Sequence, residues 1–170
     1  MANSGPARQD LTAVYAGSFD PITNGHVDII ERTLQVFERV IVAVAFNPNK
    51  DSALFTPEER VDLVMRTTSR FGNVEVRQFA GLAVKFVREC GAHVMIRGVR
   101  PLTDIEFEMT MVMANRQLDP GIETVFLMAD KEFAHVSSSL IKQIAPLADD
   151  EELASFVPAE VVSAMRRKMA

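Results

Sequence analysis

The segment GSFDPITNGH, residues 17–26, places small and turn-forming residues directly before an expected helix. Such a segment lets backbone N–H groups face a ligand at a helix N-terminus, where the helix dipole favours anions. His26 falls in the first turn of that helix and can donate a hydrogen bond to a phosphate oxygen in either protonation state. A lone histidine more often caps or packs at a helix start, but the surrounding loop favours phosphate binding here.

Cations follow two other expected strands. Lys50 ends the segment NPNK, and Arg97 and Arg100 flank Gly98 in the segment RGVR. Two arginines around a glycine can hold a phosphate through paired hydrogen bonds while the backbone approaches closely. A loop lysine is usually only solvated, and the arginines could instead pair with the carboxylates of residues 104–108. Their place at strand ends favours phosphate binding.

Three serines, Ser137, Ser138 and Ser139, open a later helix. Their hydroxyl and backbone donors suit a phosphate, and an ordinary N-cap would need only one of them. Helix capping alone therefore leaves two serines unexplained.

Other chemistries find less support. Cys90 lies in an apolar helical stretch typical of a core residue, and no spacing of His, Cys or acids predicts a zinc site. The glycine patterns of dinucleotide-binding folds and of P-loops are both missing, which disfavours dehydrogenases and kinases. With no nucleophile beside a base, a direct displacement is the reaction that the residues favour.

The elements that must position these groups alternate along the chain, which predicts an α/β fold. We expect one Rossmann-like domain with a five-stranded parallel sheet and helices on both faces. The expected strands are residues 11–16, 40–46, 74–79, 94–96 and 124–128. The main expected helices begin after residue 24, at Pro57 and at residues 82, 104, 138 and 158. Ligands in such sheets bind beyond the carboxyl ends of the strands.

Size and charge narrow the class of protein. A chain of 170 residues suits one domain, placed at residues 11–170, after a flexible tail at residues 1–10. The net charge of −5 argues against a general binder of nucleic acids or membranes. A single cysteine fits a reducing cytosol. The methionines at positions 109, 111 and 113 are interpreted as helix packing.

Five segments in order resemble the motifs of the bacterial phosphopantetheine adenylyltransferase family. They are GSFDPITNGH, IRGVR (96–100), DIEFE (104–108), NR (115–116) and VSSSLIK (136–142). The first is similar to the signature of the nucleotidyltransferase superfamily, with Thr23 in place of its first histidine. Ser18 stands where threonine is common in the family, and Phe107 and Phe133 stand where some members have tyrosine and tryptophan.

The resemblance implies a step of coenzyme A synthesis. ATP and 4′-phosphopantetheine would give 3′-dephospho-coenzyme A and pyrophosphate, with Mg²⁺ held by the ATP phosphates and by no protein metal site. It also implies a cytoplasmic homohexamer inhibited by coenzyme A.

The resemblance assigns roles residue by residue, with His26, Lys50 and Arg97 as the catalytic groups. The residues it places on ATP are Ser18, Phe19, His26, Gly98, Val99, Arg100, Glu108, Phe133, Ala134, His135, Val136, Ser137, Ser138 and Ser139. The residues it places on phosphopantetheine are Ser18, Lys50, Leu82, Ala83 and Arg97.

Two alternatives stay open at this point. A sibling enzyme would adenylate nicotinamide mononucleotide or cytidylylate glycerol phosphate, and Thr23 with the IRGVR and SSS motifs argues against it. A non-catalytic nucleotide sensor could share the fold. Retention of every candidate cation and of His26 argues against the sensor.

Overall fold

The computed structural model describes residues 11–46, 53–100 and 105–169, apart from the side chain of Phe107. Its five strands are β1 Thr12–Gly17, β2 Arg39–Ala45, β3 Val74–Phe79, β4 Val94–Val99 and β5 Glu123–Met128. They form one parallel sheet in the order β3-β2-β1-β4-β5. The predicted α/β fold is confirmed. The predicted tail, residues 1–10, lies outside the described residues.

Seven helices occur in the described ranges. They are α1 Asn24–Leu34, α2 Pro57–Thr68, α3 Ala83–Glu89, α4 Ile105–Leu118, α5 Ser138–Ile144, α6 Asp150–Ala154 and α7 Ala159–Met169. The predicted capping box before α2 is present, with Thr56 accepting from the Glu59 N–H and the Glu59 carboxylate accepting from the Thr56 N–H. Helix α6 was not predicted, although Asp149 and Glu152 form a second such box.

Alternate residues of each strand point to opposite faces of the sheet, and both faces are covered. Ala13 and Tyr15 of β1 face a core built with α1, α2 and α5–α7. Val14 and Ala16 face the other core, to which α3 contributes Val84. The prediction of helices on both faces is confirmed.

The sheet forks between β1 and β4. Strand β1 pairs with β4 only from Ala13↔Val94 to Tyr15↔Ile96, but it stays paired with β2 as far as Gly17↔Val44. Strand β4 stays paired with β5 as far as Val99↔Met128. The chain order also reverses here, because β2 and β3 lie on one side of β1 and β4 and β5 on the other. A ligand site is expected at such a point.

The extension of β4 to Val99 corrects the prediction that this strand ends at residue 96. Arg97 and Gly98 lie within the strand and pair with Phe126 and Leu127 of β5. Sequence reasoning ended the strand at the first charged residue, whereas its outer half borders the fork and tolerates polar side chains.

Three methionines of α4 are exposed to solvent. Met109, Met111 and Met113 are exposed by 46%, 42% and 70%, so the interpretation of these methionines as packing within the chain was wrong.

In the described ranges, no helix has both the length and the apolar character needed to span a membrane.

Candidate active site

A pocket of about 310 Å³ opens in the fork between β1 and β4. Ten of the predicted site residues line it: Ser18, His26, Arg97, Gly98, Arg100, Phe133, Val136, Ser137, Ser138 and Ser139. Three separate segments of sequence thus meet at one place and bring two arginines there, although the chain as a whole is acidic.

Phe19 lies beneath the pocket, with 1% of its surface exposed. Its φ of +47° is unusual for a bulky residue and is held by packing. The ring meets those of Tyr15 and His26 edge to face, with centroids 5.4 and 5.0 Å away. A Cβ atom on Gly17 would lie 3.1 Å from the same ring, so the glycine gives Phe19 its space. Phe19 therefore shapes the floor below His26.

His26 is part of a capping box at the start of α1. Its Nδ1 accepts a hydrogen bond from the Thr23 N–H at 3.0 Å and lies 2.9 Å from Thr23 Oγ1. The Thr23 hydroxyl in turn accepts from the His26 N–H at 3.3 Å. Because Nδ1 is an acceptor, the proton of the neutral ring lies on Nε2. Thr23 thus orients the ring as well as capping the helix.

The His26 side chain is neutral at physiological pH. Burial, with a smaller contribution from the positive charge of Arg100, lowers its pKa from 6.5 to about 4. The ring consequently acts as an uncharged donor through Nε2–H.

Arg97 forms a bidentate ion pair with Glu108. Its Nε and Nη2 each donate to a carboxylate oxygen at 2.6 Å, and Nη1 donates to the Ala16 carbonyl at 2.9 Å. The sequence left open that the arginines pair with a carboxylate of residues 104–108. The structure shows such a pair for Arg97. The side chain still lines the pocket, so pairing and ligand binding are compatible.

Arg100 and the serines border the opposite side of the pocket. Arg100 donates to the Val136 carbonyl at 3.3 Å. Ser137 is the N-cap of α5 and accepts from the Leu140 N–H at 3.1 Å, and the Ser138 hydroxyl donates to the Pro21 carbonyl at 2.8 Å. Ser137 alone caps the helix, as predicted, and Ser138 has a structural partner in the Pro21 carbonyl. Ser139 is exposed.

Several predicted residues lie away from the pocket lining or outside the described residues. Lys50 is outside the described residues. Val99 is buried, and Glu108 makes its described contacts with Arg97. Ala134 does not line the pocket, and exposed His135 packs edge to face on Phe156, with centroids 5.8 Å apart.

Leu82 and Ala83 begin α3, beyond the carboxyl end of the edge strand β3. Leu82 lines a separate hollow of about 420 Å³ together with the stacked rings of Phe79 and Phe86. The structure therefore does not bring Leu82 to the pocket in the fork.

Comparison with known proteins decides the family. Residues 14–144 match the family described as cytidylyltransferase-like. Over 159 residues the chain is 58% identical to the phosphopantetheine adenylyltransferase of Rhodopirellula baltica, covering 93% of this chain and 88% of that one. It is 46% identical to the enzyme of the same name from Alkaliphilus metalliredigens, over 91% of this chain and 97% of that one. The chain belongs to the phosphopantetheine adenylyltransferase family.

A solved structure supports the fold alone. The bifunctional NMN adenylyltransferase/ADP ribose pyrophosphatase from Francisella tularensis superposes with a TM-score of 0.64 at 14% identity. The match covers 94% of this chain and 50% of that one, so this chain spans about half the length of the bifunctional protein.

Two residues, one that lines the site and one that supports it, escaped sequence reasoning because their partners are distant along the chain. Tyr15 lines the pocket from within β1, where it was read only as a strand residue. Arg60 of α2, 5% exposed, donates from Nη1 to the carbonyls of Ser18 and Ala45, both at 3.0 Å. It thereby joins the ends of β1 and β2. No local pattern marks either residue, since each depends on contacts formed only in the folded sheet.

The described side chains offer few groups that could bind a metal ion. Within the described residues, no three His, Cys, Asp or Glu side chains cluster in a way suited to a metal ion. Glu108 is joined to the pocket lining through Arg97, which engages both of its oxygens.

Proposed function

We propose that this chain transfers the adenylyl group of ATP to 4′-phosphopantetheine, giving 3′-dephospho-coenzyme A and pyrophosphate. The observation that carries the proposal is the convergence of His26, Arg97, Arg100 and the serines in one pocket of a chain belonging to this family. Phosphopantetheine as acceptor, rather than nicotinamide mononucleotide or glycerol phosphate, follows from the family to which the chain belongs.

The reaction is a direct displacement. A phosphate oxygen of the acceptor attacks the α-phosphorus of ATP, the new P–O bond forms, and the bond to pyrophosphate breaks in line. The only described imidazole in the pocket is His26, and its Nδ1 already faces Thr23, so no described serine has a base to activate it. Catalysis then consists of positioning and of stabilising charge on the phosphoryl oxygens.

Each side of the fork serves a different substrate. His26 donates through Nε2–H to the phosphoryl group being transferred, where negative charge develops. Arg97, with Lys50, holds the attacking phosphate, and Arg100 with Ser138 and Ser139 holds the triphosphate. Phe133 lines the same pocket, and we assign it to ATP as well.

Mg²⁺ would accompany the triphosphate. When bound, the ion would neutralise phosphate charge, and its ligands would be phosphate oxygens and water. The protein contributes Arg97 and Arg100, which hold the phosphates in place.

We also propose a cytoplasmic homohexamer. Ile105, Met109 and Met113 follow one another at four-residue spacing on α4 and are all exposed, which suits a subunit contact. Met113→Lys should reduce the mass measured by light scattering. Leu147→Lys, at an 88% exposed position outside α4, is the matched control and should leave the mass unchanged.

Pyrophosphate release tests the activity. Purified protein with ATP and Mg²⁺ should release pyrophosphate with 4′-phosphopantetheine and much less with nicotinamide mononucleotide or glycerol phosphate. Faster release with either alternative acceptor would overturn the substrate assignment. ATP binding without release for any acceptor would favour the nucleotide sensor.

A further inference from the structure

Tyr15 carries a hydroxyl group that has no hydrogen-bond partner among the described residues. The residue is 6% exposed, lines the pocket, and makes no hydrogen bond within the described part of the chain. Among the described side chains, Thr67 Oγ1 is the only polar atom that is both fully enclosed and without a hydrogen bond. The Tyr15 hydroxyl oxygen is therefore accessible from the pocket. A buried hydroxyl of this kind is costly unless something in the pocket pairs with it.

The position of Tyr15 in the sheet directs this hydroxyl toward the fork. Tyr15 is the last residue of β1 that pairs with β4, opposite Ile96. Its side chain crosses over Gly98, where a Cβ atom would lie 3.2 Å from the Tyr15 oxygen and 3.1 Å from Cγ1 of Ile29. Gly98 therefore leaves the space that the tyrosine hydroxyl occupies.

The neighbours of Tyr15 are the groups assigned to the reaction. Its ring lies 6.3 Å from that of His26, measured between centroids, and meets Phe19 edge to face. The charges of Arg97, Glu108 and Arg100 all act on the hydroxyl. Burial raises the pKa of Tyr15 above its ordinary value, so the group remains a donor at neutral pH.

We infer that the Tyr15 hydroxyl donates a hydrogen bond to an oxygen of the phosphoryl group being transferred, between His26 and Arg97. The inference rests on the proposed adenylyl transfer and adds a catalytic donor to it. A hydroxyl donor suits this position because it pairs with an anionic oxygen without adding a further charge beside Arg97 and Glu108.

Tyr15→Phe isolates the hydroxyl, since the ring and its contacts with Phe19 remain. We expect kcat for pyrophosphate release to fall by about tenfold to a hundredfold, the range for a hydrogen bond to a charged group. The Kd values of ATP and of 4′-phosphopantetheine should change much less. The urea midpoint should not fall, because no hydrogen bond within the protein is lost.

A matched control removes another hydroxyl near the site. Thr33 of α1 donates to the Ile29 carbonyl at 2.6 Å and does not line the pocket. Thr33→Val should lower stability and leave kcat close to that of the unmodified chain. Unchanged kcat in Tyr15→Phe, or a loss matched by weaker binding of one substrate, would overturn the inference.

The composition offers a direct readout, because Tyr15 is the only tyrosine of the chain. Protein labelled with 3-fluorotyrosine should give one ¹⁹F resonance, which should shift when ATP and then 4′-phosphopantetheine are added. A resonance that stays unmoved by both would overturn the inference. Absence of turnover in the unmodified chain would instead refute the proposed function, so the two failures are distinguishable.

Discussion

The carboxylate of Asp20, which is 5% exposed, accepts a hydrogen bond from the ammonium group of Lys142 at 2.8 Å. Its two oxygens also accept from the backbone N–H groups of Leu54 and Phe55 at 3.0 and 2.9 Å. Burial alone would raise the pKa of Asp20, but these hydrogen bonds outweigh it and lower the pKa below its ordinary value. One carboxylate thus joins the loop after β1, the segment before α2 and helix α5.

Asp20→Asn should lower the free energy of unfolding by about 3 kcal/mol, the lower end for breaking a buried ion pair. The amide nitrogen of the asparagine would face groups that are themselves donors. Lys142→Met leaves both backbone hydrogen bonds of Asp20 in place, so it should lower the free energy of unfolding by less. Urea denaturation measures both. Arg70→Met, which breaks an exposed pair with Glu31, is the control and should cost less than about 1 kcal/mol. A loss for Asp20→Asn no larger than this control would contradict the role of the carboxylate.

His26→Ala should lower kcat by roughly 10²–10³, because a preorganised donor to developing charge is typically worth that much. ATP affinity should change far less, since the charges that hold the triphosphate remain. Steady-state kinetics and calorimetric titration of ATP separate the two effects. Turnover near that of the unmodified chain in a folded variant would remove His26 from the mechanism.

The pKa of His26 makes a separate prediction for stability. Between pH 6.5 and about 4 the unfolded chain binds a proton at His26 that the folded chain does not. The free energy of unfolding therefore falls as pH decreases through this window. His26→Gln should remove that component. In urea titrations, the free energy of unfolding of the variant should therefore rise relative to that of the unmodified chain from pH 7 to pH 4. A constant difference across the window would mean that burial does not perturb the ring.

The sheet could be predicted closely from the sequence, and the long-range hydrogen bonds of Asp20 and Arg60 could not. Alternating apolar strands and amphipathic helices gave all five strands within a few residues at either end, because burial on both faces dictates apolar runs. The partners of Asp20 lie 34 and more residues away, and those of Arg60 include Ser18, 42 residues away. Such contacts follow from how the strands are ordered, which the pattern of one sequence leaves open.

The site was predictable in type more than in geometry. Motif residues from three segments do meet in the fork, as parallel strands require. The pairing of Arg97 specifically with Glu108 needed the position of α4 over β4, since three nearby acids were candidates. The missed helix α6 had a local signal, because Asp149 and Glu152 match the spacing of a capping box.

Arg97→Ala should impair use of 4′-phosphopantetheine more than binding of ATP. The variant also leaves Glu108 unpaired at a side chain only 12% exposed, so it should lose stability as well. Arg97→Ala combined with Glu108→Gln should regain much of that stability without regaining the acceptor KM. Separate titrations of the two substrates and urea denaturation test this. Equal losses for ATP and acceptor would mean that the two sides of the fork are wrongly assigned.

The serines of α5 should separate into structural and binding roles. Ser137→Ala removes an N-cap and should lower the free energy of unfolding by about 1 kcal/mol, with little direct effect on ATP. Ser139 makes no described side-chain hydrogen bond and lines the pocket, so Ser139→Ala should weaken ATP binding without reducing stability. Ser138→Ala should do both, because Ser138 lines the pocket and its hydroxyl donates to the Pro21 carbonyl. Urea midpoints and ATP titrations for the three variants make the comparison. If replacing all three serines leaves ATP affinity and turnover unchanged, the cluster serves only to begin the helix.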